Sequence, residues 1–203
     1  MKRITLLKSI VTGVVLYSLG ASANPGFKLG PPDHAGPGCP VGSVSATLSP
    51  DADELSVLFD QYIVEAGGVS GKRFDRKSCN ISIPVQIPQG YSVSIFQVDY
   101  RGFAGIPFGG RGNLSAEYFF TGGRGVVRTN KPLPVGGTRD YLFTDRLEAS
   151  AYVWTPCGAS TNLRINTGLL VQTNRNFDDT LATVDSVDIS NGMIYHIQWK
   201  RCR

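Results

Sequence analysis

The segment CNISIPVQIP spaces Ile81, Ile83, Val85 and Ile87 two residues apart, with Ser82, Pro84 and Gln86 between them. A period of two sends successive side chains to opposite faces of an extended chain, so this run predicts a β-strand with one buried face. Pro84 has no N–H to give to a ladder, which predicts an edge position or a bulge there. The same period recurs along the chain. SVSATLS places Val44, Ala46 and Leu48 on one face, and ELSVLFDQYIVEA supplies Leu55, Val57 and Phe59, then Tyr62 and Val64 after a change of phase. QGYSVSIFQVDYRGF carries Tyr91, Val93 and Ile95 in one phase and Phe96, Val98 and Tyr100 in the other, as a β-bulge near Ile95 would produce. NLSAEYFFTG, RDYLFTD, EASAYVWTP, TNLRINTGLLVQT and MIYHIQWKRC continue the pattern between breaks rich in Gly, Pro, Asn and Asp. No stretch sustains the i, i+3, i+4, i+7 spacing of an amphipathic helix. The chain reads as an all-β protein, an antiparallel sandwich rather than a barrel, of about nine to eleven strands.

The amino-terminal segment follows different chemistry. Lys2, Arg3 and Lys8 precede an apolar stretch from Ile10 to Leu19, and Ala21-Ser22-Ala23 follows it. A basic head, an apolar run and an A-x-A site together are the layout of a secretory signal peptide, so residues 1–23 are set apart from the fold. Residues 24–38, NPGFKLGPPDHAGPG, are rich in Pro and Gly and read as an extended, mobile arm, leaving 39–203 as a single sandwich domain. No Cys follows the cleavage site to carry a lipid, and no later apolar run reaches the roughly 18 residues needed to span a bilayer. The expected product is soluble and secreted or periplasmic.

Cleavage also changes the charge. The first 23 residues hold three of the 20 basic residues and none of the 16 acidic ones, so the rest carries 17 against 16, a net +1. That balance lacks the basic footprint of a nucleic-acid binder. The local exception is GKRFDRKS, with Lys72, Arg73, Arg76 and Lys77. It reads as a solvated loop in preference to an anion site, because Asp75 interrupts it.

Four cysteines, Cys39, Cys79, Cys157 and Cys202, lie in this exported chain, none in the C-x-x-C spacing of a zinc site. An even number behind a signal peptide implies two disulfides, with three pairings open. The pairing expected is Cys39 with Cys79 and Cys157 with Cys202. Each bridge would then close a loop of about 40 to 45 residues and contribute roughly 4 kcal/mol by the chain-entropy model. Cys202 would fasten the last strand to the TPCG turn.

The segments GPGCPVGSVSATLSPDADELSVLFDQYIVEAG, KSCNISIPVQIPQGYSVSIFQVDYRGFA, VWTPCG and YHIQWKRC resemble a family of small secreted proteins known as domain of unknown function 4360. The resemblance runs from about Gly36 to Cys202 and is most specific in the four cysteine contexts and in DYRGFA. It implies export, two disulfides and a β-rich domain. It brings no activity and no catalytic residues.

Catalytic and cofactor motifs are absent from the sequence: there is no G-x-S-x-G elbow, no H-E-x-x-H and no P-loop, and no cofactor is expected. His34 falls in the arm and His196 in a strand, where a polar-face residue is expected in preference to a catalytic base. A glycosidase needs two suitably placed acids, and the chain has four glutamates, Glu54, Glu65, Glu117 and Glu148. Glu117 stands out because aromatic neighbours could desolvate it; the alternative is an outward-facing strand carboxylate. SPDADE and NFDDTLATVDSVD could offer oxygens to calcium through Asp178, Asp179, Asp185 and Asp188, but neither matches an EF-hand, and Asp51 and Asp53 suit a turn. The sequons at Asn80 and Asn113 read as chance occurrences.

The surface singled out for binding is YRGFAGIPFGGRGN, read as a glycine-rich loop in which Arg101, Phe103, Phe108 and Arg111 meet a ligand. The competing reading folds its aromatics beneath the loop as a satellite core. Two classes of function follow. The first is a non-catalytic extracellular binding or surface-interaction module for a glycan or protein. The second is a secreted hydrolase acting on polysaccharide through paired carboxylates.

Overall fold

A computed structural model describes residues 26–184 and 192–202. The strands are β1 (Lys28–Leu29), β2 (Asp33–Ala35), β3 (Val44–Leu48), β4 (Glu54–Phe59), β5 (Ile63–Ala66), β6 (Phe74–Gln86) and β7 (Tyr91–Ile106). They continue with β8 (Arg111–Phe120), β9 (Val127–Pro132), β10 (Gly137–Arg146), β11 (Val153–Trp154), β12 (Thr161–Gln172), β13 (Thr180–Thr183) and β14 (Met193–Arg201). One sheet runs β1-β6-β12-β8-β9, with β2 also on β6; the other runs β3-β4-β14-β7-β13-β5. The sheets are antiparallel, and their inward faces meet in a single core. The expected sandwich with two disulfides is therefore present, with 14 strands in place of nine to eleven. The surplus includes β1, β2 and β11, of two or three residues each. Segments that short carry no periodicity to read.

β7 is the axis of the second sheet. Along one edge it pairs with β14 and β13, and along the other with β11 and β10. Its register against β14 shifts between His196 and Ile197, because Gln97 faces His196 while Ile95 faces Ile197, leaving Phe96 as the extra residue. This is the expected bulge. It lets Val93 and Ile95, then Val98, Tyr100, Ala104 and Ile106, all reach the core despite their change of phase. The other phase change separates β4, with Leu55, Val57 and Phe59 buried, from β5, with Val64 and Ala66 buried.

The described part of the arm, from Gly26 onward, is docked on the sheets. β1 and β2 both pair with β6, Phe27 is buried edge-on against Trp199 at 4.8 Å, and His34 Nδ1 lies 3.2 Å from the Cys39 carbonyl. Pro84 explains how β6 tolerates a proline. Its carbonyl accepts from Gly30 N–H at 2.8 Å, and its missing N–H falls at the break between β1 and β2.

Both disulfides have the expected pairing. Cys39 joins Cys79 with Cα atoms 5.4 Å apart, and Cys157 joins Cys202 with Cα atoms 6.1 Å apart. The first ties the end of the arm to β6, and the second ties the end of β14 to the turn after β11. The segment expected to be a signal peptide, residues 1–23, lies outside the described residues.

Candidate functional site

The segment from Arg101 to Asn113 is not a loop. It is the end of β7, a tight turn closed by Gly110 N–H to the Pro107 carbonyl at 3.0 Å, and the start of β8. Its glycines include strand positions packed too closely for a side chain: a Cβ on Gly102 would lie 2.2 Å from the Thr183 carbonyl oxygen. The four residues singled out there consequently occupy three surfaces. Arg101 and Phe103 alternate with core residues on the outer face of the second sheet, opposite Leu142 and Asp140 of β10. Phe108 is at the turn tip, 80% exposed, and Arg111 opens β8 on the outer face of the first sheet. Neither the expected loop nor a satellite core beneath it forms.

The first sheet carries a more developed surface. Pairing aligns Asn80 of β6, Asn166 of β12, Glu117 of β8 and Arg128 of β9 in one row across the strands. The next row is Ser78, Gly168, Ser115 and Asn130. Alternation along each strand places these residues opposite the buried Ile81, Ile165, Tyr118 and Leu169, on the solvent side. Three adjacent strands thus contribute Ser, Gly and Ser to one row, while the flanking rows bear Arg76, Asn166 and Arg128. The result is a polar trough crossing the strands, with a cavity of about 540 Å³. Arg111 lies on the same face, two positions before Asn113 along β8.

Glu117 stands in the wall of this trough with both oxygens engaged. Oε2 accepts from Arg128 Nε at 2.6 Å, and Oε1 accepts from Asn166 Nδ2 at 3.1 Å. Tyr118 points into the core, and the Glu117 side chain keeps 28% exposure. It is the outward-facing strand carboxylate of the alternative expectation, and among the described residues it is the one carboxylate lining the trough.

On the outer face of the second sheet, His196 is flanked by two acids. Its Nε2 lies 3.0 Å from Asp99 Oδ2 and its Nδ1 lies 3.4 Å from Glu54 Oε1. Asp99 also accepts from Thr144 Oγ1 at 2.6 Å and from Gln97 Nε2 at 3.3 Å. Burial would raise the Asp99 carboxyl, but the hydrogen bonds from Thr144 and His196, the charge of His196 and the Gln97 amide outweigh it, so its pKa falls below the ordinary value. His196 is the polar-face strand residue expected. The two carboxylates beside it could not be foreseen, because they come from β4 and β7, which the chain order does not place beside β14.

Residues 27–202 match the family described as a domain of unknown function, DUF4360. The chain belongs to this family. An uncharacterised secreted protein of Arthroderma benhamiae is 36% identical over 170 residues, which is 83% of this chain and 69% of that one. The DUF4360 protein is secreted, and its two disulfides suit an oxidising compartment.

The remaining polar clusters of the DUF4360 protein are occupied locally. Asp178 Oδ2 accepts from Asn174 Nδ2 at 2.7 Å, and Asp53 accepts from Ser49 Oγ at 2.9 Å in the turn between β3 and β4. Asp185 and Asp188 lie outside the described residues. Both sequon asparagines are on the outer face of the first sheet, Asn80 in the trough and Asn113 donating to Asn130.

Proposed function

We propose that this DUF4360 protein is a non-catalytic extracellular binding module that holds an extended polar chain, a glycan, across the trough of its first sheet. The observation that carries this reading is the row of Ser78, Gly168 and Ser115 between flanking rows of amide and guanidinium side chains. Small side chains on the floor admit a chain lying across the strands. Asn80, Asn130, Asn166 and Arg76 offer donors and acceptors of the kind that hydroxyl groups pair with. A rigid sheet holds these groups in place before the ligand arrives, which lowers the entropy cost of binding.

Hydrolysis through paired carboxylates is the second reading. The pair that could support it is Glu54 and Asp99, which flank His196. Against it, Asp99 is buried and already accepts from three side chains, and Glu117 has no carboxylate partner in the trough.

The test is a glycan and protein array probed with the secreted chain, followed by variants of both surfaces. Gly168→Val projects a branched side chain into the trough where a Cβ would already lie 2.8 Å from Ser115 Oγ. Loss of array binding in Gly168→Val and in Arg76→Gln, with circular dichroism unchanged, is the expected result. Binding lost instead in Phe103→Ala or Phe108→Ala would move the site to those residues. Turnover of a bound polysaccharide abolished by Asp99→Asn would establish the hydrolase.

A further inference from the structure

A second cavity, of about 500 Å³, opens at the end of the molecule that carries the Cys157–Cys202 bridge. Its position follows from the strand pairing. Trp154 of β11 lies beside Ser94 on one edge of β7, and Lys200 of β14 lies beside Ser92 on the other. Ser92 and Ser94 are buried and short, so the two long side chains close over β7, and Lys200 Nζ rests 3.7 Å from the centre of the Trp154 ring. Thr155 fixes this corner: its carbonyl accepts from Ser92 Oγ at 2.8 Å, and its own Oγ1 accepts from Val93 N–H at 3.0 Å. The turn after β8 forms the opposite rim, where Arg124 bridges to Trp154 through a backbone pair.

The lining is chemically one-sided. It holds two aromatic rings, Tyr152 and Trp154, the ring of Pro156, and two cations, Arg124 and Lys200, with no carboxylate among the lining residues. Neither cation makes a salt bridge among the described residues. The indole face orients the Lys200 ammonium without neutralising it. Two cations and no carboxylate favour an anionic ligand, and the half-buried rings beside them suit one that also presents a flat apolar face. A pyranose has such a face in its axial C–H groups, and Ser150 and the glycine backbone of the rim are polar groups of the kind its hydroxyls pair with. The volume falls in the range of about 300 to 1,000 Å³ typical of small-ligand pockets.

We propose that this pocket binds an acidic sugar unit, a pyranose bearing a carboxylate, with its ring stacked on Tyr152 and its anion between Lys200 and Arg124. This site is independent of the trough. It shares no lining residue with the trough and does not depend on the reading given for it.

The experiment is calorimetric titration of the secreted, disulfide-intact chain with trigalacturonic acid, its methyl ester, a sulfated neutral disaccharide and hexaglutamate, with indole fluorescence followed in parallel. Trigalacturonic acid is expected to bind and perturb the emission. Lys200→Gln and Arg124→Gln, both at exposed positions, are each expected to weaken it about tenfold, as loss of a charge-assisted contact would. The methyl ester is expected to bind at least about tenfold more weakly than the acid. Equal affinity for acid and ester, binding unchanged in Lys200→Gln, or no binding of trigalacturonic acid would each overturn the site. Preference for the sulfated disaccharide would replace the carboxylate, and preference for hexaglutamate would replace the sugar. Binding that survives Lys200→Gln but is lost in Gly168→Val would place the acidic sugar in the trough, sinking this proposal while sustaining the other.

Discussion

The ring of Tyr118 in β8 meets that of Tyr195 in β14 edge-on, with centroids 5.5 Å apart, and so joins the two sheets through the middle of the core. Tyr62, Tyr100 and Tyr141 are buried as well. Burial pushes the Tyr62 phenol up to about 12 and the phenols of Tyr100, Tyr118, Tyr141 and Tyr195 higher still. The unfolded chain releases these protons near pH 10 and the folded chain does not, so the stability they contribute is present below pH 10 and is lost as pH rises above it. Alkaline titration followed by phenolate absorbance and by circular dichroism should show these five phenols ionising together with loss of the fold. Ionisation of all five ahead of any change in the dichroism would contradict this account of the core.

Local pattern carried much of this fold. Ile81, Ile83 and Val85 announce β6 because alternation is a property of consecutive residues, and the reversal around Ile95 announces the bulge for the same reason. Four cysteines leave three pairings open, and the sequential one expected is the one that forms. What could not be read depends on register between distant strands. Ser78, Gly168 and Ser115 are unremarkable residues in three separate segments, and a trough exists only once β6, β12 and β8 are aligned. The glycines around Phe103 misled for a related reason. Glycine signals either a turn or a close approach of neighbours, and Gly102 proves to be the second.

Cys202 holds the end of β14 twice, through its bridge to Cys157 and through its N–H to the Gly90 carbonyl at 2.8 Å. Cys202→Ser should free one thiol, on Cys157, and lower the unfolding free energy by roughly 2 to 5 kcal/mol. Thiol titration together with urea denaturation checks both. A variant as stable as the parent would show that the bridge does not constrain the unfolded chain.

Asp99 sets a limit at the acid side. Its carboxyl is held below the ordinary range, so the stability it contributes is present above the unfolded carboxyl value and is lost as pH falls through the lower folded value. Asp99→Asn should flatten the acid limb of the stability curve. It should also cost about 1 to 3 kcal/mol at neutral pH, because an amide cannot accept from Thr144, His196 and Gln97 as a carboxylate does. Urea midpoints across the acid range measure both effects, and an acid limb identical to the parent's would remove Asp99 as its cause.

Export should begin the chain at Asn24. The basic head, the apolar stretch and Ala21-Ser22-Ala23 predict a cut after Ala23. Intact mass of protein recovered from the medium or periplasm gives the answer directly, and a mass that includes Met1 would refute processing.

Gly102 offers a test of how the glycine-rich segment works. A Cβ there would stand 2.2 Å from the Thr183 carbonyl oxygen and 2.5 Å from the Tyr141 hydroxyl, and those two atoms are themselves hydrogen-bonded at 2.6 Å. Gly102→Ala therefore has to part β13 from β7 or displace the Tyr141 side chain, and overpacking of this kind costs about 1 to 3 kcal/mol. Phe108→Ala, at the exposed turn tip, should change stability by no more than about 0.5 kcal/mol. Thermal and urea unfolding of the two variants separates the roles: glycine in β7 is required for packing, and the phenylalanine of the turn is not. Equal tolerance of both substitutions would return the segment to the status of a loop whose glycines serve flexibility.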